Sequence, residues 1–329
     1  MQTKYTSSAP GKLILFGEHA VVYGKPCIVT AVDQRVWVTA SRVEPSSLVL
    51  RTNILSTAYE KPLRDLGRGV IPKEVGFIEH LTKRFFEWYP QHSGVELVIK
   101  SDISPTWGFG SSSASTVAAA NALAGLFEIT LSSQKLFELC YQVVLDVQGV
   151  GSGFDLAAAI WGGTIYYVAP ASIVEQLSIP SLPLVVGYTG VKADTPTLIR
   201  QVGELKKNKQ ELVQGVFDRI HALTNKARQA FEQQDWVWIG KLMTENQAEL
   251  EQLQVSSFRL DELIKASLSA GAFGAKLSGA GGGDCMMAVV DPTTREQVER
   301  ALVEVHAEVI PIKLGVEGVR KEETKQTKD

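Results

Sequence analysis

The sequence predicts a mixed α/β protein, organised as two domains or as one large α/β unit. Three observations carry that expectation. At 329 residues the chain is too long for one small core. Short apolar runs of strand length alternate with longer stretches of helical periodicity. Dense glycine turns punctuate the chain where these segments meet.

Hydrophobic residues make up 45% of the chain and charged residues 21%, the balance of an ordinary globular protein. The net charge of −3 offers no general attraction to nucleic acid or to acidic membranes, so neither is expected as a partner. No apolar run is long enough to span a bilayer, and the first residues lack the apolar core of a signal peptide. Cys27, Cys140 and Cys285 are widely spaced and odd in number, which predicts buried thiols rather than a disulfide framework. A cytoplasmic protein is the expectation.

Tyr5–Ser8 reads as a short strand, followed by the buried strand Leu13–Phe16. Gly17 ends that run, and Glu18, His19 and Tyr23 gather before the turn at Gly24-Lys25-Pro26. Ile28–Val43 supplies one or two further strands. Phe77, Ile78, Leu81, Phe85 and Phe86 place a helix over 75–88 with an aromatic core face, and Val95–Ile99 is the next strand. Helices follow over 112–127 and from Ser132 or Ser133, as cap, to about Val147. A second glycine turn ends in Asp155 before the apolar helix 156–161. Strands at 164–168 and 184–188 lead to a turn holding Lys192, then a helix capped by Asp194 or Thr195 with Pro196 in its first turn. Residues 197–270 are helical in pattern, broken near Asn208, Asp235 and Ser256. A strand, the glycine turn 279–283, a second strand, a helix over 291–306 and a last strand over 308–318 complete the chain.

The stretch Pro105–Ser115 carries the strongest chemical signal. Gly108 and Gly110 precede Ser111, Ser112 and Ser113, which run directly into an alanine-rich helix. Such a loop ends at a helix N-terminus, where unpaired backbone N–H groups and the helix dipole attract anions. The serine hydroxyls can donate to phosphate oxygens or ligate magnesium. A flexible Gly/Ser linker before a buried helix fits the same residues. Asp155 likewise has two readings, a plain N-terminal cap or a general base aimed at a ligand. His19 is a structural or a ligand-facing histidine. Lys12 is a surface lysine or part of a site, since no Gly-x-x-x-x-Gly-Lys-Ser/Thr loop accounts for it. Lys192 faces either solvent or ligand.

The glycine-rich segments 9–24, 105–115 and 276–285, in this order and spacing, resemble the three signature motifs of the GHMP small-molecule kinases. The resemblance spans most of the chain. Pro10-Gly11-Lys12 with Gly17-Glu18-His19-Ala20-Val21-Val22-Tyr23-Gly24 is most similar to the mevalonate kinase branch. Gly151-Ser152-Gly153-Phe154-Asp155 and Ser278-Gly279-Ala280-Gly281-Gly282-Gly283-Asp284-Cys285 look more like phosphomevalonate kinases. What the resemblance implies is an α+β fold in two lobes. A nucleotide-binding lobe like ribosomal protein S5 domain 2 would cover 1–180, a ferredoxin-like lobe 181–320, and a charged tail 321–329.

The resemblance also implies ATP and magnesium as cofactors, and mevalonate or phosphomevalonate as acceptor in a monomer or homodimer. Asp155 would be the catalytic base and Lys12 the lysine beside the reacting hydroxyl. Glu18, His19, Tyr23 and Lys192 would lie at the acceptor. Gly108, Gly110, Ser111, Ser112 and Ser113, with Gly279, Gly281 and Gly282 of the last loop, would hold phosphates. The metal-binding glutamate of mevalonate kinases corresponds to Val144, so Ser112 and the nearby Asp146 are the expected metal ligands. Mevalonate kinase is the first functional expectation and phosphomevalonate kinase the second. A catalytically silent binding protein of the same fold is the third.

Overall fold

The computed structural model describes residues 3–53, 55–91, 93–179 and 181–323. The first strand, β1, runs unbroken over Lys4–Phe16, joining the two strands read from the sequence. A register shift between Pro10 and Gly11 keeps it paired with β2, Cys27–Val43. The rest of the first sheet comprises β3 (Ser47–Thr52), β4 (Tyr59–Pro62), β5 (Gly94–Ser101), β6 (Thr164–Val168) and β7 (Ile173–Leu177). Its order starts from β1 and runs β1-β2-β5-β3-β4, with β6 and then β7 branching from the other end of β2.

The helices between these strands are α1 (Gly76–Trp88), α2 (Ser111–Leu126), α3 (Ser133–Gln148) and α4 (Phe154–Trp161). Small, fully buried side chains such as Ala118, Ala119 and Ala122 let α2 lie close on β1 and β2. Ser132 caps α3 by accepting from the Lys135 N–H, as its position predicts.

The second sheet contains β8 (Leu184–Tyr188), β9 (Gly274–Ser278), β10 (Cys285–Val289) and β11 (Glu308–Val309), all antiparallel, in the order β11-β8-β10-β9. Its helices are α5 (Thr195–Asn208), α6 (Gln210–Gln233), α7 (Trp236–Gln252), α8 (Phe258–Ser269) and α9 (Arg295–Glu304). The helix breaks near 208, 235 and 256 fall where the sequence places them. Helix α9 begins four residues later than expected, because Asp291 folds back on Thr293 in a local turn. The architecture is α+β. Two buried clusters form the core, one under the first sheet and one between the second sheet and α5–α9. No helix among the described residues is long and apolar enough to cross a membrane. The three cysteines are buried and free.

The expected long last strand over 308–318 is replaced by β11 and an irregular strap that returns to the first sheet. It ends in β12, Arg320–Lys321, paired with Ser7 and Ser8 of β1. Arg35 is the anchor. Its buried guanidinium donates to the carbonyls of Glu317 and Gly318 at 2.8 and 2.7 Å and to Ser8 Oγ at 2.8 Å. Arg35→Leu leaves these carbonyls without a donor, at about 1–3 kcal/mol per buried group. We expect a stability loss of about 3 kcal/mol in chemical denaturation and early proteolytic cleavage between 311 and 323. Residues 324–329 of the expected tail lie outside the described residues.

Candidate active site

A cleft of about 420 Å³ opens where β1, the 104–113 loop, the 150–155 turn, the 192–199 segment and the 279–284 turn meet. The loop before α2 ends at Gly110, whose φ of 73° is left-handed, and no side chain caps the helix. The first-turn N–H groups therefore face the cleft with Ser111, Ser112 and Ser113, and Ser112 is exposed. The loop is thus an ordered wall of the cleft rather than a flexible linker.

Lys12 is fixed at its mouth by three contacts. Its N–H donates to Phe109 O at 3.0 Å, its Nζ donates to Gly108 O at 3.1 Å, and Nζ lies 3.0 Å from Asp155 Oδ1. Lys12 is 8% exposed, whereas the Asp155 side chain is 32% exposed and faces the cleft. Asp155 is the second residue of α4 and makes no capping bond, since Gly153 stands at the cap. The plain-cap reading of Asp155 is thereby excluded. Both side chains line the cleft beside Gly110, close enough that a Cβ there would touch each of them.

Glu18 and His19 follow β1 and reach the second lobe. Glu18 is 1% exposed and pairs with Lys276 of β9, which is itself fully buried. Lys276 also donates to Leu277 O at 2.6 Å, while Glu18 Oε2 has no partner among the described residues. Burial pushes the Glu18 carboxyl up and the Lys276 ammonium down, and their mutual attraction opposes both shifts. His19 Nε2 donates to Ala280 O at 2.9 Å, and burial holds the imidazole below its ordinary value. His19 is thus a neutral donor already committed to the last glycine loop. Ser278 Oγ donates to Ile14 O at 2.8 Å and adds a third stitch between the lobes.

Lys192 lines the cleft with its Nζ 3.4 Å from Asp284 Oδ1, which also accepts from the Ala193 N–H at 2.9 Å. Asp284 in turn packs against Gly108, so the last glycine turn and the serine loop are in direct contact. Sequence reasoning missed Asp284, which lines the cleft, and Lys276, which is buried behind the cleft residue Glu18. The available signals were a lysine inside an otherwise apolar strand and a carboxylate closing a glycine run.

Four expected site residues are placed elsewhere. Asp146 is not in the cleft; both its oxygens accept from Arg84 of α1 at 2.6 Å, and Val144 lines the cleft instead. Tyr23 stacks on Phe217 with ring centroids 4.7 Å apart, and Lys206 Nζ lies 4.0 Å from the Tyr23 ring centroid and 5.9 Å from that of Phe217. Gly281 and Gly282 press on protein rather than on open space. A Cβ at Gly281 would lie 2.0 Å from Val255 O, and the Gly282 N–H donates to that same carbonyl. Gly279 lines the cleft as expected. No group of three or more His, Cys, Asp or Glu side chains among the described residues could hold a metal alone.

Two family profiles match this chain, "GHMP kinases N terminal domain" over residues 75–163 and "GHMP kinases C terminal" over 227–308. The mevalonate kinase of Pyrococcus abyssi is 33% identical over 332 residues, covering 97% of this chain and 98% of its own length. Among solved structures, the Lin0012 protein from Listeria innocua superposes with a TM-score of 0.86 at 26% identity, covering 98% of this chain and 100% of its own. The Methanococcus jannaschii mevalonate kinase superposes with a TM-score of 0.79 at 24% identity, covering 95% and 98%, and shares the fold. The profiles match around the serine loop, Asp155 and the last glycine turn, and the chain belongs to the GHMP kinase family of small-molecule kinases.

Proposed function

We propose that this protein transfers the γ-phosphoryl group of ATP to the hydroxyl of mevalonate. The carrying observation is the Lys12–Asp155 pair, 3.0 Å apart at the mouth of an uncapped helix N-terminus. Phosphoryl transfer needs positioning and charge neutralisation more than covalent chemistry from the protein. The N–H groups and hydroxyls of Ser111, Ser112 and Ser113 hold the triphosphate, and a magnesium ion bound to it would be met by Ser112 and Asp155. A metal arriving on the phosphates suits a cleft that offers Ser112 and Asp155 but no side-chain cage. When bound, that ion neutralises charge on the phosphates.

The acceptor oxygen forms a bond to the γ-phosphorus as the bond to the β-phosphate oxygen breaks, releasing ADP. Asp155 takes the hydroxyl proton. Lys12, held between Gly108 O and Asp155, offsets charge on the attacking oxygen. Glu18 and Lys192 present polar groups to the remainder of the acceptor, and the apolar wall of Val22, Phe77 and Ile199 meets its carbon skeleton. The test is ADP release by purified protein with mevalonate or with phosphomevalonate. We expect turnover with mevalonate. Turnover with phosphomevalonate alone would reassign the acceptor, and ADP release with neither would favour a silent binding protein.

A further inference from the structure

Glu18 is a buried carboxylate with one oxygen engaged and one oxygen orphaned, in a residue that lines the cleft. An unpaired buried acceptor is costly and calls for a donor. Its partner Lys276 comes from the opposite lobe, 258 positions along the chain. Lys276 is itself oriented by its second bond to Leu277 O, and the strand that carries it is locked to α7 by the Gln247 side chain accepting from the Leu277 N–H at 3.0 Å. The ammonium therefore has a fixed position, and it selects which oxygen of Glu18 remains free.

We propose that Lys276 is a positioning residue for the acceptor alcohol: by holding one oxygen of Glu18, it keeps the other charged and free to accept from a hydroxyl of that substrate. The inference rests on the acceptor reading above. An ionised acceptor makes a bond roughly twice as strong as a neutral one, so the charge on Glu18 matters as much as its place. The groups facing Glu18 are Lys276 from β9, Lys12 from β1, Cys27 from β2 and the adjoining His19. Lys12 is already committed to Asp155 and Gly108, Cys27 is held neutral by burial, and His19 is bonded to Ala280. Lys276 is thus the counter-charge that serves Glu18 directly.

The experiment compares wild type, Glu18→Gln, Lys276→Met and the double variant by calorimetric binding of mevalonate, with a non-hydrolysable ATP analogue present. Lys276→Met is expected to weaken mevalonate at least tenfold at neutral pH and to leave the affinity for the analogue unchanged. Removing the ammonium raises the Glu18 carboxyl further, so mevalonate affinity in this variant recovers as pH rises through that value. Wild type stays flat over the same range. The double variant is expected to bind mevalonate no more weakly than Glu18→Gln, because Lys276 acts through Glu18. That comparison stands even where the single Met change fails to fold, since the double variant carries neither buried charge. A pH-independent loss in Lys276→Met, or a further additive loss in the double variant, would overturn the proposal. Absence of mevalonate binding by wild type would instead overturn the acceptor reading.

Discussion

Asp155→Asn is expected to lower kcat by about 10²–10⁴-fold, the usual contribution of a positioned general base. The substitution is nearly isosteric and the side chain is partly exposed, so the fold and the affinity for ATP should be retained. Loss of turnover with unchanged thermal stability and nucleotide binding is the signature. Asn can still lie beside Lys12, but it cannot take up the proton that the acceptor hydroxyl must lose. Retention of more than a tenth of wild-type kcat would remove Asp155 from the base role. The structure already removes the competing explanation of its position, since Asp155 makes no capping bond to its own helix.

A stability effect as large as that of Arg35→Leu comes from a residue with no chemistry. Gly274 begins β9 and lies against Gly240 of α7; a Cβ added to it would lie 1.8 Å from the Gly240 carbonyl oxygen. That obstacle is backbone, so no rotamer change relieves it. Gly274→Ala must push α7 away from the sheet, at about 3 kcal/mol. Strand β9 carries Lys276, which holds the cleft residue Glu18, and Ser278, which bonds Ile14 O, so the displacement should also raise the KM for the acceptor. Equilibrium denaturation with the slope unchanged and the midpoint lowered is the expected reading. A midpoint within experimental error of wild type would show that the helix and strand are free to separate.

The two glycines that make this contact were not legible in the sequence, because nothing in either local pattern announces which helix meets which strand. Local signals fared better. The Ser132 cap, the breaks around 208, 235 and 256, and the serine loop before α2 all depend on residues close in sequence, and each stands where the pattern placed it. Lys12 and Asp155 are 143 positions apart, so no local pattern pairs them, and only the family resemblance implied that they meet.

Asp146 shows where proximity in sequence misleads. It is two residues from Val144 on α3, and two residues of helix turn a side chain by about 200°. Val144 faces the cleft and Asp146 faces Arg84 on the outer side. The nearest carboxylate in sequence is on the wrong face. Gly281 and Gly282 mislead differently. A glycine run signals close approach by some backbone, and here the approaching group is the Val255 carbonyl rather than a phosphate. Lys276 was hidden because a strand lysine is ordinarily solvated; its partner lies in another lobe, and pairing across 258 positions leaves no local trace. The returning strap escaped notice for the same reason, as Arg35 meets Glu317 and Gly318 only after the whole second lobe has intervened.

The convergence of Lys12 and Asp155 on the reacting oxygen is tested most directly by a crystal structure of the complex with mevalonate and a non-hydrolysable ATP analogue. The account predicts the primary hydroxyl within hydrogen-bond reach of the Asp155 carboxylate and beside Lys12 Nζ, with the terminal phosphate at the N-terminus of α2. A hydroxyl bound away from both side chains, or a triphosphate held outside the 108–113 loop, would contradict it.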